Sequence, residues 1–440
     1  MDSVTDTATT TTAARNHAMD LYRVVALVFV VIGHWIAAAL TFSDGGFWRD
    51  NPLVDMPWTQ WLTWIFQVVP VFFVVAGYAS AVSWTQRASD GGVESRQAWL
   101  RRRLVRPLGP TVVYVVFALL VVAVLGRIGV AGSELDFGAW AVAMHLWFLG
   151  IYVVVVALTP IAVAAHRRWG KWVPFVMTLA VAAVDVATIG AHLPYVGWLN
   201  YLLVWGVLYQ LGIAWHDGTL CRRAAIAVAV LSAIVLALAV TVGPYPVSMI
   251  GVPGAVVNNT GPPNLALLAL GGVQAGVALA LAPTVNRMVK SVRTQRVLAV
   301  ANDNVMALYL WHMVPVVIVA VAGYPTGLLP QPTIGTAAWW WFRLEWVAIL
   351  AVVAAVELVL LWWGRRLFSA PLPTVPVAIP SRLGEVLLFA GTLTIAVTIS
   401  VFATLGFAPG GRFPLAISIA FALGVLLVSL TPVSRRRTRV

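Results

Sequence analysis

The sequence predicts an all-α fold: a polytopic helical membrane bundle of about 12 spans, with both termini cytoplasmic. Two observations predict it. Apolar runs of spanning length recur along the whole chain, and the basic residues gather at one side of the bundle that those runs define. Of 440 residues, 61% are hydrophobic and 10% charged, against about 25% charged in an ordinary soluble domain. No water-solvated core absorbs so much apolar side chain, so the surrounding solvent is lipid.

A span needs about 20 apolar residues to cross about 30 Å of hydrocarbon. Runs of that kind lie at about 20–42, 60–84, 104–126, 140–160, 172–191, 196–215, 223–243, 263–285, 297–322, 337–363, 383–406 and 413–432. Four regions follow: a Thr-rich, low-complexity tail at 1–18, read as disordered, a core of ten spans at 19–366, two additional spans at 367–432, and a basic tail at 433–440. The first region is not read as a secretory leader. It has no basic n-region, and the run after it is of spanning length without a clear cleavage site.

Charge tests this map. With the N-terminus in the cytoplasm and alternating spans, 24 of the 28 Lys and Arg residues fall in cytoplasmic segments. The exceptions are Arg49, Arg127, Arg343 and Arg412. The positive-inside rule requires such a bias, and one missed span would scramble it. Trp58, Trp61 and Trp64, and later Trp339, Trp340 and Trp341, fall at expected outer boundaries, where interfacial belts lie. The net charge of +12 is thereby an orientation signal that also suits anionic lipid head groups, and nucleic acid is not an expected partner. The single cysteine, Cys221, excludes an internal disulfide framework. The strong Arg-over-Lys bias with heavy Ala, Val and Gly usage suggests a GC-rich genome, as in an actinomycete.

Ionisable groups in hydrocarbon are costly, so each is a functional candidate. Arg23 and His34 lie eleven residues apart in the first span. At 100° per residue they share a helix face within about 20°, about 16 Å apart along the axis. Arg23 then sits at the cytoplasmic boundary and His34 near or beyond mid-membrane. Asp20, three residues before Arg23, is within pairing distance of it. The plainer reading of His34 is a neutral imidazole that glues two spans together. His145 and His312 are two further histidines in expected spans, the latter in Tyr309-Leu310-Trp311-His312. Neither HExxH spacing nor a carboxylate at helical spacing accompanies them, so no metal is expected. Arg101-Arg102-Arg103-Leu104-Val105-Arg106 enters the third span. It reads either as a stop-anchor cluster or as a cytoplasmic phosphate site, for which the forked guanidinium is well shaped. No P-loop, nucleophile elbow or dinucleotide fingerprint is present.

Taken in order, these segments resemble the acyltransferase-3 family of integral-membrane acyltransferases. Met19-Asp20-Leu21-Tyr22-Arg23 with His34 is similar to the family's opening, FFVVAGY at 72–78 to its FFxxSGF, and RRRLVRPLGP at 101–110 to its Arg-rich entry to the third span. HLWFL at 145–149 and Tyr309-Leu310-Trp311-His312 match further family segments in order. Ala76 stands where the family often has Ser, so no hydroxyl role attaches to that position.

The resemblance covers about residues 19–366. It implies transfer of an acyl group, commonly acetyl or succinyl, from cytoplasmic acyl-CoA, with acetyl-CoA the first candidate. The acceptor would be a hydroxyl of an envelope sugar or glycolipid at the plasma membrane. It also implies that Arg102, Arg103 and Arg106 hold CoA phosphates, that His34 acts as base or acyl carrier with Arg23 below it, and that Asp20, His145, Tyr309 and His312 support them. Two other classes stay open: a lipid or sugar transporter or flippase using the same groups, and a non-catalytic membrane scaffold.

Overall fold

A computed structural model describes residues 16–87 and 95–433. The basic tail from 434 and most of the Thr-rich tail, 1–15, lie outside the described residues. Helix α1 runs His17–Ala37, so the first span begins inside the segment expected to be tail. Asn286 recruits those extra residues: its Oδ1 accepts from the Ala18 amide at 2.8 Å and satisfies a helix-start donor.

The chain is almost wholly helical. In order, α2 is Val69–Gln86, α3 Arg96–Arg127, α4 Gly132–Ala143, α5 Trp147–Ala157, α6 Thr159–Trp169, α7 Trp172–Asp185, α8 Leu199–His216 and α9 Arg222–Thr241. Then come α10 Leu265–Met288, α11 Val292–Trp311, α12 Val314–Gly323, α13 Ala337–Trp363, α14 Ser381–Leu405 and α15 Leu415–Ser429. Ten stretches among the described residues are long and apolar enough to cross a membrane. They coincide with ten of the twelve expected runs.

The other two runs differ from expectation. The ninth is a bent pair, α11 and α12, joined at 52°. Pro315 explains the break: it brings no amide hydrogen, and its ring would strike the Trp311 carbonyl one turn back. The twelfth, expected at 413–432, is the 15-residue α15. That gives about 22 Å of helix, short of a full crossing. Pro414 precedes it, and Leu430–Pro432 leaves the helix to pair in parallel with Val375–Val377.

Interruptions also mark the fourth span, where a tight 3₁₀ turn at Met144–Leu146 separates α4 from α5. His145 sits in that turn, and His312 sits at the α11–α12 break. Elsewhere the bundle closes tightly. A Cβ on Gly77 of α2 would lie 2.0 Å from the Tyr209 carbonyl oxygen of α8, and one on Gly212 would lie 2.0 Å from that of Val74. Backbones approach this closely in lipid only through small residues.

At one end of the bundle an antiparallel hairpin, β1 Leu40–Ser43 and β2 Gly46–Arg49, turns at Asp44-Gly45 with positive φ at both positions. The loop 244–262 lies at the same end. Asp185 pins its two edges, accepting from the Tyr245 hydroxyl at 2.7 Å and the Leu265 amide at 2.8 Å. Asn259, near its end, ties it back to its start, donating to the carbonyls of Pro246 and Ser248.

Candidate active site

Helices α1 and α11 run parallel, tied by two polar rungs. At the lower rung Arg23 Nη1 donates to Asn302 Oδ1 at 3.4 Å, and Asn302 Nδ2 donates to the Asp20 carbonyl at 3.2 Å. Asn302 thus bridges the Arg23 side chain to the Asp20 backbone. At the upper rung His34 Nδ1 lies 2.8 Å from His312 Nε2. The rungs are eleven residues apart on α1 and ten on α11, about three helical turns on each. The shared face expected for Arg23 and His34 is the face that meets α11.

Partners fix the proton positions around His312. Its Nδ1 lies 2.8 Å from the Tyr309 carbonyl, which only accepts. Nδ1 of a neutral His312 therefore carries the hydrogen and Nε2 the lone pair. His34 must then donate from Nδ1, which leaves the lone pair of His34 on Nε2. The same Tyr309 donates its hydroxyl to the His145 carbonyl at 2.8 Å. One residue thus braces both histidine-bearing breaks. The His145 ring stands 4.9 Å from that of His312, centroid to centroid. His145 is 2% exposed, and neither ring nitrogen meets a partner at hydrogen-bond geometry.

A frame of indoles and a guanidinium supports this cluster. Trp35 Nε1 donates to the His312 carbonyl at 2.7 Å, and Trp346 Nε1 to the Trp35 carbonyl at 3.1 Å. Arg343, buried in α13, donates to the Ala38 carbonyl at 2.9 Å. Trp346 and Arg343 thereby satisfy carbonyls that the end of α1 leaves without helical partners.

His34, His145 and Tyr309 line one cavity of about 1650 Å³, mostly apolar along its walls. Its lining reaches the β1–β2 end, where it includes Asp50, Asn51, Asn258 and Thr260. On α1 its lining runs from Ala37 down to Leu27, one turn above Arg23. His312 is wholly buried behind the wall. Its Nε2 faces His34 and its Nδ1 faces a carbonyl, so it has no lone pair left for a metal. Among the described residues no group of three His, Cys, Asp or Glu side chains is arranged to hold one.

The arginine run divides by burial. Arg101 is buried and donates to the Val428 carbonyl. Arg103 donates to Ser80 Oγ at 2.8 Å. Arg102 and Arg106 are exposed. The hydroxyl missing at Ala76 thus reappears one helical turn on, at Ser80. None of these arginines, nor Arg23, lines the cavity. The reading of the sequence did not single out Asn302, Ser80 or the capping role of Arg343. Asn302-Asp303-Asn304, a polar run inside an expected span, was the available signal for the first.

A helical membrane bundle with buried histidines at two span breaks, around one deep cavity, belongs to the class of multi-pass membrane enzymes. The chain matches the family model described as "Acyltransferase domain" over residues 16–363, which is most of its length. It belongs to the acyltransferase-3 family and is a membrane acyltransferase, a transferase of groups other than aminoacyl. Searches of curated proteins and of solved structures give no match.

Proposed function

We propose that this enzyme moves an acyl group, acetyl or succinyl, from cytoplasmic acyl-CoA across the plasma membrane's inner half. The acceptor is a hydroxyl of an envelope carbohydrate or glycolipid. The observation that carries the reading is the chain Tyr309 carbonyl–His312–His34, which leaves a lone pair on His34 Nε2 at a wall of the cavity. A base held in one tautomer by a second imidazole is what hydroxyl activation needs.

The positive-inside bias supports placing the arginine-rich end in the cytoplasm. There the exposed guanidinium groups of Arg102 and Arg106, with Arg103 steadied by Ser80, suit the phosphates of CoA. The acyl thioester reaches the cavity floor near Leu27, just above Arg23. The acceptor enters from the opposite mouth. His34 Nε2 takes the hydroxyl proton as the oxygen attacks the thioester carbonyl. The C–O bond forms, the C–S bond breaks, and the proton passes to the departing CoA sulfur. His145, with both nitrogens unpartnered beside His312, is placed to donate to the developing oxyanion. Arg23 positions the donor from below.

The test is transfer of radiolabelled acetyl from acetyl-CoA to envelope glycan in membranes carrying the wild-type chain or His34→Ala. Incorporation with the first and its loss with the second supports the reading. A transporter would move an unmodified substrate and incorporate no label.

A further inference from the structure

Three hydroxyl groups meet inside the bundle, away from the cavity. Ser80 of α2, Tyr209 of α8 and Thr159 at the break between α5 and α6 are 0%, 1% and 0% exposed. None of them lines the cavity. A buried hydroxyl is costly unless it finds partners, and here the partners come in order. Pro160 has no amide hydrogen to give the Val156 carbonyl one turn back. Thr159 Oγ1 donates to that carbonyl instead, at 2.6 Å. The Thr159 hydrogen is thereby spent, so Tyr209 donates to Thr159 Oγ1, also at 2.6 Å. Helices α2 and α8 touch closely where Gly77 meets the Tyr209 backbone, and the Tyr209 hydroxyl stands beside Ser80. Ser80 Oγ accepts from Arg103 Nη2 at 2.8 Å, which leaves its own hydrogen for the Tyr209 oxygen. Every hydrogen in the chain thus points away from Arg103, and Ser80 offers the guanidinium a lone pair.

A hydroxyl holds a guanidinium differently from a carboxylate. Two turns earlier on α3, Arg96 pairs with Glu385 at 2.7 Å, and its charge is balanced. Among the described residues no carboxylate pairs with Arg103. Its charge stays whole, one edge of its fork is fixed, and its other N–H groups are left for an anion. A fork fixed beforehand also loses less freedom when a ligand arrives. Packing alone gives no reason for such a chain to end on an unbalanced cation.

We propose that Tyr209 is a positioning residue for the phosphates of the acyl donor. Through Ser80 it holds the Arg103 fork in the orientation that meets them, and Thr159 on the Val156 carbonyl fixes Tyr209 in turn. This rests on the acyl-CoA reading and adds to it residues that touch neither donor nor acceptor. Without the Tyr209 oxygen the Ser80 hydrogen loses its acceptor, Ser80 turns, and Arg103 loses its anchor.

The experiment uses the full-length enzyme in nanodiscs with two donors. One is acetyl-CoA; the other is acetyl-pantetheine, which carries the same thioester and no phosphate. Binding of CoA is measured separately by isothermal titration. We expect Tyr209→Phe and Ser80→Ala each to raise KM for acetyl-CoA and Kd for CoA about fivefold, as loss of one hydrogen bond does, with kcat nearly unchanged. Thr159→Val should shift both in the same direction, and Thr159→Ser, which keeps the hydroxyl, should stay near wild type. Rates with acetyl-pantetheine should not change in any of them. Adding Tyr209→Phe to Arg103→Ala should weaken CoA binding no further. Equal loss with both donors, or an effect of Tyr209→Phe that persists in the Arg103→Ala background, would make the chain a packing feature and overturn the proposal. Acetyl transfer with the wild-type KM in both Tyr209→Phe and Ser80→Ala would also overturn it and leave acyl transfer standing. Weakened CoA binding by the variants of a protein that transfers no acetyl group would support the positioning role and sink the acyl-transfer reading. A wild-type chain that binds no CoA would overturn both. Should Ser80→Ala fail to fold, Tyr209→Phe, which removes a single oxygen, carries the same test.

Discussion

His34 Nδ1 and His312 Nε2 lie 2.8 Å apart, on helices that run side by side in the same direction. The bond joins the first span to the break in the ninth. Because the far side of His312 is held by a backbone carbonyl, the pair works as an oriented dyad, with its open lone pair on His34.

The dyad predicts that His312→Ala lowers kcat by about 10²-fold, in the lower range for removing general-base assistance, while KM for acyl-CoA changes little. His312→Gln keeps an acceptor for His34 Nδ1 and is expected to recover part of the loss. Steady-state acetyl transfer by the purified variants checks both. Equal loss in Ala and Gln, with unchanged folding, would contradict a hydrogen-bonding role.

Kinetic order separates the two chemical roles of His34. As a base it requires donor and acceptor together, so initial-rate plots should intersect. An acyl-carrying His34 would give parallel lines and a burst of free CoA without acceptor. Release of CoA before acceptor is added, measured by thiol titration, decides this.

The arginines are expected to behave differently from one another. Arg106→Ala should raise KM for acyl-CoA about tenfold with kcat nearly unchanged, as loss of one charge-assisted phosphate contact does. Arg101→Ala should instead lower thermal stability in detergent, because its guanidinium is buried on the Val428 carbonyl. A rise in acyl-CoA KM for Arg101→Ala alone would contradict this division.

Much of this architecture was legible in the sequence. Long apolar runs gave the spans, because lipid permits only helices or closed barrels. The eleven-residue spacing of Arg23 and His34 gave their common face. Other features were hidden by tertiary geometry. The motif pattern aligned His312 and His145 in order, but only the breaks at Pro315 and at Met144–Leu146 set the His312 ring against His34 and the His145 ring against His312. Proline at 315 signalled a kink; nothing local signalled the 3₁₀ turn. Arg343 looked like a misplaced charge in an outer segment. Its partner, the Ala38 carbonyl, is some 300 residues away in sequence and exists only because α1 ends beside α13. The short α15 was masked by apolar strand residues that continue its hydrophobic run.

Arg343 therefore makes a stability prediction. Arg343→Met keeps an apolar stem but leaves the Ala38 carbonyl without its donor. A loss of about 1–2 kcal/mol is expected, the usual cost of one orphaned buried acceptor. Thermal unfolding in detergent checks it, and an unchanged midpoint would contradict the capping role.

The central claim is that His34, oriented by His312, activates the acceptor hydroxyl. It is tested most directly by single-turnover acetyl transfer from labelled acetyl-CoA with purified, folded His34→Ala in nanodiscs. The account predicts a rate at least about 10²-fold below wild type, with acetyl-CoA binding retained. Transfer by His34→Ala at the wild-type rate would contradict it.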